Sequence, residues 1–361
     1  MDDLLADFLT ETSESLAELD TALVKLERTP NDEETLSLIF RMVHTIKGTC
    51  GFLGLSRLKR VAHAAENVLG RVRDKVLKVS FDIMAAMLLR SSGLVIGPEK
   101  LYLLETRLAG IMREIGGADL DKLADRLQVP GPATAEIERK VVEAMTTNES
   151  FFFRDEKPFT HFRTVALPRL IASRPPGARL RVWSAASSSG QEAYSLAMIV
   201  AEMQAALGGR TVEIVGTDLS REQVLRAQQG VYSQFEVQRG LPMQYLVKYF
   251  KKDGANWRLN DSIRAMASFR EWNLLADPRP LGNFDVVFCR NVLIYFDRPT
   301  KTRVLDAIAR QMRQDGLLYL GGAETVLGIT DWFDIVPDNR GVYELARKGA
   351  KPALAIAGAA R

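Results

Sequence analysis

Val182-Trp183-Ser184-Ala185-Ala186-Ser187-Ser188-Ser189-Gly190-Gln191-Glu192 begins as an apolar run, passes through a string of small residues and ends where a helical pattern starts. Open α/β sheets hold nucleotides where a strand's carboxyl end meets a helix start, and the loop there must let the ligand approach the backbone closely. The stretch lacks the G-x-G-x-x-G spacing of dinucleotide sites, which argues against NAD. The next apolar run, Thr211–Gly216, leads into Thr217-Asp218. A carboxylate at that place offers two acceptor oxygens to the hydroxyls of a ribose. Alone, these two features indicate only a nucleoside ligand, since an Asp after a strand is a turn residue as often as a ligand contact.

Outward from this stretch, Arg179–Trp183, Phe284–Cys289 and Gly316–Leu320 are further short runs rich in Val, Ile and Leu, and helical patterns at about 190–206, 220–229 and 299–313 separate the runs. Such alternation predicts a parallel sheet covered by helices. Residues 231–270 interrupt it with short strand-like pieces such as Ile263–Phe269, so a small β insertion is expected there. Before residue 145 the period is helical throughout. Leu5, Phe8, Leu9, Leu16, Leu19, Leu23 and Leu26 form one stripe, Leu36, Ile39, Phe40, Val43 and Ile46 a second, and Leu58, Val61, Ala65, Leu69 and Val72 a third. Thr29-Pro30-Asn31-Asp32, Gly116-Gly117 and Pro130-Gly131-Pro132 punctuate them, and three amphipathic helices with short links predict a bundle.

With 361 residues, two or three compact units are expected. A net charge of +3 is too small to argue for nucleic acid. No apolar run reaches the ~18 residues that cross a bilayer, and Met1-Asp2-Asp3 lacks the basic start of a secretory leader. Cys50 and Cys289 sit far apart in apolar surroundings and read as reduced thiols of a cytoplasmic protein. Residues 1–34 hold eleven acidic and two basic side chains, and residues 35–79 two acidic and nine basic. That asymmetry suits an acidic helix beside a basic pair, or helix faces that are simply solvated.

Thr146-Thr147-Asn148-Glu149-Ser150-Phe151-Phe152-Phe153-Arg154 precedes Trp183–Ser187 with Gly190-Gln191-Glu192, and Thr217-Asp218 follows. Tyr232-Ser233, Trp272-Asn273-Leu274-Leu275 and Phe288-Cys289-Arg290-Asn291-Val292-Leu293-Ile294-Tyr295-Phe296 come next in the chain. On these six blocks, residues from about 81 to 346 resemble the chemotaxis receptor methyltransferases of the CheR type. The resemblance implies S-adenosylmethionine as cofactor, held by Asn148, Ser150, Arg154, Glu192, Asp218, Asn273, Leu274, Arg290 and Asn291, with Arg154 and Tyr295 as catalytic residues. Asp218 would take the ribose, Glu192 the methionine ammonium, and Asn273 and Leu274 the adenine; Leu274 and Tyr295 are also explained as core. Ser150 stands where the family has Thr and keeps the hydroxyl, and Ala193 stands where it has Pro without loss of a polar contact. A glutamate with pKa about 4.3 is already ionised at pH 7, so methyl esterification needs alignment and exclusion of water rather than a base. His161 has no role in that chemistry and either packs or faces solvent. A basic helix recognises the receptor in this family; Arg107 and Arg113 are the candidates here, equally well explained as solvated surface.

Phe40-Arg41-Met42-Val43-His44-Thr45-Ile46-Lys47-Gly48-Thr49-Cys50-Gly51-Phe52-Leu53-Gly54 is the densest motif before residue 80. His44, Lys47 and Gly48 share one helix face at i, i+3 and i+4, offset from the apolar stripe. A phosphohistidine carrier needs an accessible imidazole, a cation and a small neighbour. His63 and Glu66, at i and i+3, are placed to fix the His44 tautomer. Residues 1–79 are similar to the histidine phosphotransfer (HPt) domain of CheA-type kinases, which implies His44 as the phosphorylated residue, supported by Lys47, Gly48, His63 and Glu66. Such domains have four helices, yet Phe81 already reads as the start of the methyltransferase, so the fourth helix is either shared or missing.

The expected class is α + α/β. An HPt-like bundle over 1–79 is followed by a small helical domain over 80–147. A Rossmann-like S-adenosylmethionine methyltransferase sheet over 148–346 carries the antiparallel β insertion at about 231–270, and 347–361 form a flexible tail. The resemblances imply receptor methylation helices, a receiver domain of a response regulator and a histidine kinase acting in trans as partners, with no nucleic acid and no membrane insertion. Two other readings remain at this stage: a phosphorelay protein whose methyltransferase half senses S-adenosylmethionine without turnover, and methylation of a non-receptor substrate.

Overall fold

The computed structural model describes residues 15–27, 33–52, 55–73, 76–116 and 120–346. Leu5, Phe8, Leu9, the break at residues 29–32, Gly117 and the tail over 347–361 lie outside the described residues. The chain divides into two compact units, Met1–Ser91 with Val95–Met145, and Ser92–Leu94 with Thr146–Arg361.

The first unit is helical: α1 (residues 15–27), α2 (Glu33–Phe52), α3 (Ser56–Arg73), α4 (Val76–Ser92), α5 (Leu101–Glu114), α6 (Leu120–Gln128) and α7 (Pro132–Met145). Ala22, Ile39 and Val43 are buried against Leu19, Leu26, Leu38, Ala65 and Leu69. Leu19, Ala22 and Leu26, then Ile39 and Val43, then Ala65 and Leu69 recur three, four or seven apart on their helices, and a fully buried Ile or Val contributes about 1.5–3 kcal/mol. Leu101, Leu104, Leu108 and Met112 form the buried face of α5, which packs on α6 and α7. Arg107 is not free surface: its Nη1 donates to the Met145 carbonyl at 2.9 Å, whereas Arg113 is exposed. One continuous helix, α4, runs through the residues where the sequence puts the joint, burying Phe81, Met84, Met87 and Leu88.

The second unit is built on β1 (Arg179–Ala185), β2 (Thr211–Asp218), β3 (Val231–Ser233), β4 (Phe250–Asp253), β5 (Asn256–Leu259), β6 (Ala267–Glu271), β7 (Phe284–Cys289), β8 (Met312–Leu320), β9 (Phe333–Ile335) and β10 (Val342–Leu345). Seven strands form one sheet in the order β6-β2-β1-β7-β8-β10-β9, parallel from β6 to β8 and antiparallel at β10 and β9. Its helices are α8 (Lys157–His161), α9 (Leu167–Ser173), α10 (Gln191–Glu202), α11 (Arg221–Gln229), α12 (Gln234–Gln238), α13 (Met243–Tyr249), α14 (Asp261–Arg264) and α15 (Arg298–Gln311). Val182, Val286 and Leu317 enter one apolar layer, and Trp183, Val287 and Leu318 the other. Burial on both faces explains why these strands read as continuous apolar runs rather than alternating ones.

Strands β3, β5 and β4 make a separate antiparallel sheet, the expected insertion. Its extent is smaller than the sequence reading. Within Ile263–Phe269, Ile263 and Arg264 belong to the short helix α14, and Ala267 begins β6, which pairs with β2 in the main sheet. Apolar alternation marks a strand but not the sheet it joins. His161 packs inside: it is buried, its Nδ1 lies 2.7 Å from the Tyr319 hydroxyl, and burial pushes its pKa down. Cys50 and Cys289 are free and buried.

Candidate active site

The parallel strands β6, β2, β1 and β7 all end on the same side, and their following loops surround one cavity. After β1 the chain turns through Ala186 and Ser188, both with positive φ, into Gly190, which caps α10 at φ 93°. A Cβ on Gly190 would meet Ala227, Phe269 and Tyr194 at 3.0 to 3.2 Å, so this tight entry into the helix requires glycine. The segment 146–151, Arg154, and Ser92 and Leu94 complete the walls. Leu94 is bridged to Phe296, which extends the wall beside Tyr295. The space is about 980 Å³ including its open mouth, at the upper end of the range for small-molecule sites.

All ten residues singled out from the sequence for this site, from Asn148 to Tyr295, line this single cavity. Asp218 and Arg154, 64 positions apart by their numbers, share it. Asp218 is held rigidly, its Oδ2 accepting from the Ser188 amide at 2.7 Å and its Oδ1 from the Ser220 amide at 2.9 Å. The Asn148 carbonyl accepts from Ser188 Oγ at 3.0 Å, which ties the 146–154 segment to the β1 loop. Arg154 donates to the Glu149 carbonyl at 3.0 Å and lies over the Phe151 ring, 5.3 Å from its centroid. Asn273 Oδ1 accepts from the Leu275 amide at 2.9 Å, fixing the loop after β6.

Behind these contacts sits a buried ionic cluster. Arg290, its side chain 1% exposed, donates to Glu192 Oε2 at 3.1 Å, Asp155 Oδ2 at 2.7 Å and the Arg154 carbonyl at 2.8 Å. It thereby joins the end of β7, the start of α10 and the 153–156 turn. Glu192 also accepts from Ser184 Oγ at 2.8 Å. Burial pushes the Glu192 carboxyl above the ordinary range, while Arg290 and Ser184 act in the opposite sense. Burial, with the Glu324 and Glu192 charges nearby, pushes the Cys289 thiol well up, so it is no nucleophile. Glu149, at the mouth, is hydrogen-bonded by Arg239, which holds its carboxyl below the usual range.

Three contributors escaped the sequence reading as site residues. Ser188 is visible only as one more small residue. Trp272 lines the cavity with an indole Nε1 that is buried and without a hydrogen-bond partner. Glu324, buried at the end of β8, accepts backbone N–H bonds from the loop that carries Asn291. The donor set suits S-adenosylmethionine. A rigid carboxylate faces the space at the β2 end, a buried indole donor of a lining residue has no partner, and acidic and amide groups line the same cavity, as an adenosyl group with a cationic amino-acid sulfonium requires. Among the described residues no group of His, Cys, Asp and Glu is arranged to hold a metal ion, and no helix is long and apolar enough to cross a membrane.

In the helical unit, the His44 imidazole is 62% exposed and its Nδ1 is hydrogen-bonded to Glu66 Oε1. The other oxygen of Glu66 accepts from Lys47, and His63 Nδ1 lies 3.7 Å from it. Lys47 and then His44 hold the Glu66 carboxyl down to about 2. Lys47 is therefore paired in this state, where the sequence suggested a cation reserved for a phosphoryl group. Gly48 leaves the adjoining helix surface open, with nothing near the position of a Cβ.

Residues 148–342 match the family model described as CheR methyltransferase, SAM binding domain, and residues 3–114 match that of the Hpt domain. The chain is 36% identical to chemotaxis protein methyltransferase Cher2 of Pseudomonas putida, over 74% of this chain and 98% of that one. It is 38% identical to chemotaxis protein methyltransferase 1 of Pseudomonas aeruginosa, over 74% and 97% respectively. Chemotaxis protein methyltransferase 1 of Vibrio cholerae is 37% identical, over 70% and 92%.

Proposed function

The chain belongs to the CheR family of chemotaxis protein methyltransferases, and from that premise we propose that it esterifies glutamate side chains on the methylation helices of chemotaxis receptors while also carrying phosphoryl groups on His44. It is an S-adenosylmethionine-dependent methyltransferase with a histidine phosphotransfer domain in the same chain. The domain plan of 1–79, 80–147 and 148–346 is part of the proposal, with α4 shared between the first two domains as the fourth helix of the phosphotransfer bundle.

The single observation that supports the catalytic reading most is the convergence of Asp218, Glu192, Arg154 and Tyr295 on one cavity from four separate segments. Asp218 would hold the ribose hydroxyls, Asn273 and Leu274 would border the adenine, and Glu192, Asn148, Ser150, Arg290 and Asn291 would fix the amino-acid end. S-adenosylmethionine bound there supplies an electrophilic methyl group. Arg154, whose Nη1 donates to the Glu149 carbonyl, would align the incoming carboxylate, and its planar fork suits that task. The Tyr295 ring favours a nearby cation by about 0.5–2 kcal/mol. The substrate carboxylate attacks as the anion it already is at pH 7, so no residue has to remove a proton. His161, locked on Tyr319, fits that account.

At the other site, Glu66 engages Nδ1 of His44 and thereby directs nucleophilic character to Nε2. Phosphorylation would come from a kinase in trans and pass to a receiver domain. The deciding experiment is transfer of labelled methyl from S-adenosylmethionine to purified receptor signalling fragments. Base-labile label on glutamate is expected; tight cofactor binding with no label on any receptor fragment would overturn the receptor-methylation reading.

A further inference from the structure

Glu324 lies three residues beyond Gly321, at the end of β8, and is 8% exposed. Its Oε2 accepts from the amides of Gly321 at 2.7 Å and Asn291 at 2.8 Å. Its Oε1 accepts from Val292 at 3.0 Å, Leu293 at 2.7 Å and Ile294 at 3.3 Å. Four successive amides of the loop after β7 thus converge on one buried carboxylate. Backbone N–H groups this far from water need an acceptor, and a carboxylate supplies several charge-assisted bonds at once. Asn291 has φ 59°, a left-handed conformation that a non-glycine residue keeps only where its surroundings over-determine it. Gly321 is part of the same fit: a Cβ there would come within 2.7 Å of Glu324 Oε2 and 2.8 Å of Asn291 Nδ2.

We propose that Glu324 is a positioning residue for methyl transfer, clasping the Asn291–Ile294 backbone so that Asn291 and Tyr295 face the cavity in a fixed arrangement. This rests on the methyltransferase reading above and deepens it. Both side chains line the cavity, and the chain between them has no other side-chain acceptor among the described contacts. Glu324 itself is not among the lining residues, so it acts through the loop. A purely structural clasp would hold the fold and leave turnover alone; a positioning clasp sets the rate at which correctly bound reactants proceed.

Glu324→Gln separates the two. Each carboxylate oxygen accepts at least two amides, so either orientation of the carboxamide turns an NH₂ against N–H donors. The loop should shift with little change in volume. In the full chain, hydrogen exchange at residues 292–294 should speed up, and kcat with receptor fragments should fall about 30-fold or more. The receptor KM should stay within roughly threefold, and the calorimetric Kd for S-adenosylmethionine, whose amino-acid end Asn291 would hold, should weaken by less than kcat falls. Gly321→Ala, whose Cβ would crowd both this carboxylate and the Asn291 side chain, should reproduce the kcat loss together with the faster exchange at 292–294, and the two readouts jointly decide if Glu324→Gln does not fold. Faster exchange with kcat within about threefold of the parent overturns the proposal. So does a loss confined to cofactor affinity. A parent chain that methylates no receptor would instead count against the functional reading, and the exchange data would still report whether the clasp exists.

Discussion

Around His44 the side chains are held by one another on an open helix surface; around Asp218 they are held by the backbone in a recess. His44 is 62% exposed, with Glu66 as its one described polar anchor. Asp218 is 7% exposed and held by two amides, and Arg290 of the same cavity has a side chain 1% exposed with three acceptors. A phosphoryl carrier must remain reachable by other proteins, so it can be organised only lightly. A small-molecule site has to order a flexible cofactor and keep water from the nucleophile, so its polar groups are locked before anything binds. Failure at the first site should therefore be concentrated in one residue, and at the second spread over many.

The largest effect expected is at His44. Replacing it by Gln should remove all acid-labile phosphate acquired from a chemotaxis kinase, since no second imidazole touches the same groups in the same way; label remaining at its parental level would break the comparison. Asp218→Asn comes next. The carboxamide must turn its NH₂ against either the Ser188 or the Ser220 amide and offers the ribose one acceptor fewer. The expected loss is about 2–3 kcal/mol, or roughly 30- to 150-fold in the calorimetric Kd for S-adenosylmethionine.

Trp272→Phe sharpens the contrast with a change of sign. The indole donor is unmatched in the ligand-free cavity, so its removal should leave the free protein as stable or about 1 kcal/mol more stable. Cofactor affinity should nevertheless fall about fivefold, and an unchanged affinity would show that this donor does not meet the ligand. Paired thermal melts and titrations check both halves. The smallest effect concerns Glu66. Its pKa is depressed to about 2 from an ordinary 4.5, so its stabilising contacts are fully present above pH 4.5 and fade as pH falls towards 2. The melting-temperature gap between the parent and Glu66→Gln should be flat from neutral pH down to about 5 and shrink below it. A gap that shrinks as pH rises instead would rule out this account.

Legibility followed the kind of partner each residue has. Val182–Glu192 and Thr217-Asp218 were readable because a doubly buried strand writes an apolar run and a close backbone approach demands small residues. His44, Lys47 and Glu66 were readable because side chains that meet across two helices recur at helical spacing; that Lys47 is occupied by Glu66 was not, because spacing does not tell which of several charges wins. Glu324 left no trace, since its partners are amides, which every residue possesses. Ile263–Phe269 showed itself as strand-like, but neither the bounds of β6 nor its place beside β2 could be read from it, because pairing is a property of the assembled sheet.

Seven non-glycine residues hold positive φ among those described: Phe153, Asp155, Glu156, Ala186, Ser188, Asn291 and Asp338. All but Asp338 lie in the three segments that shape the cofactor cavity or brace it. Each such conformation stores about 1 kcal/mol or more, released whenever the local contacts let go. The catalytic end of this molecule is thus under tension while the sheet beneath it is relaxed. On gentle warming the enzyme should fall silent some degrees before its helices and strands come apart, and cooling from that interval should bring it back.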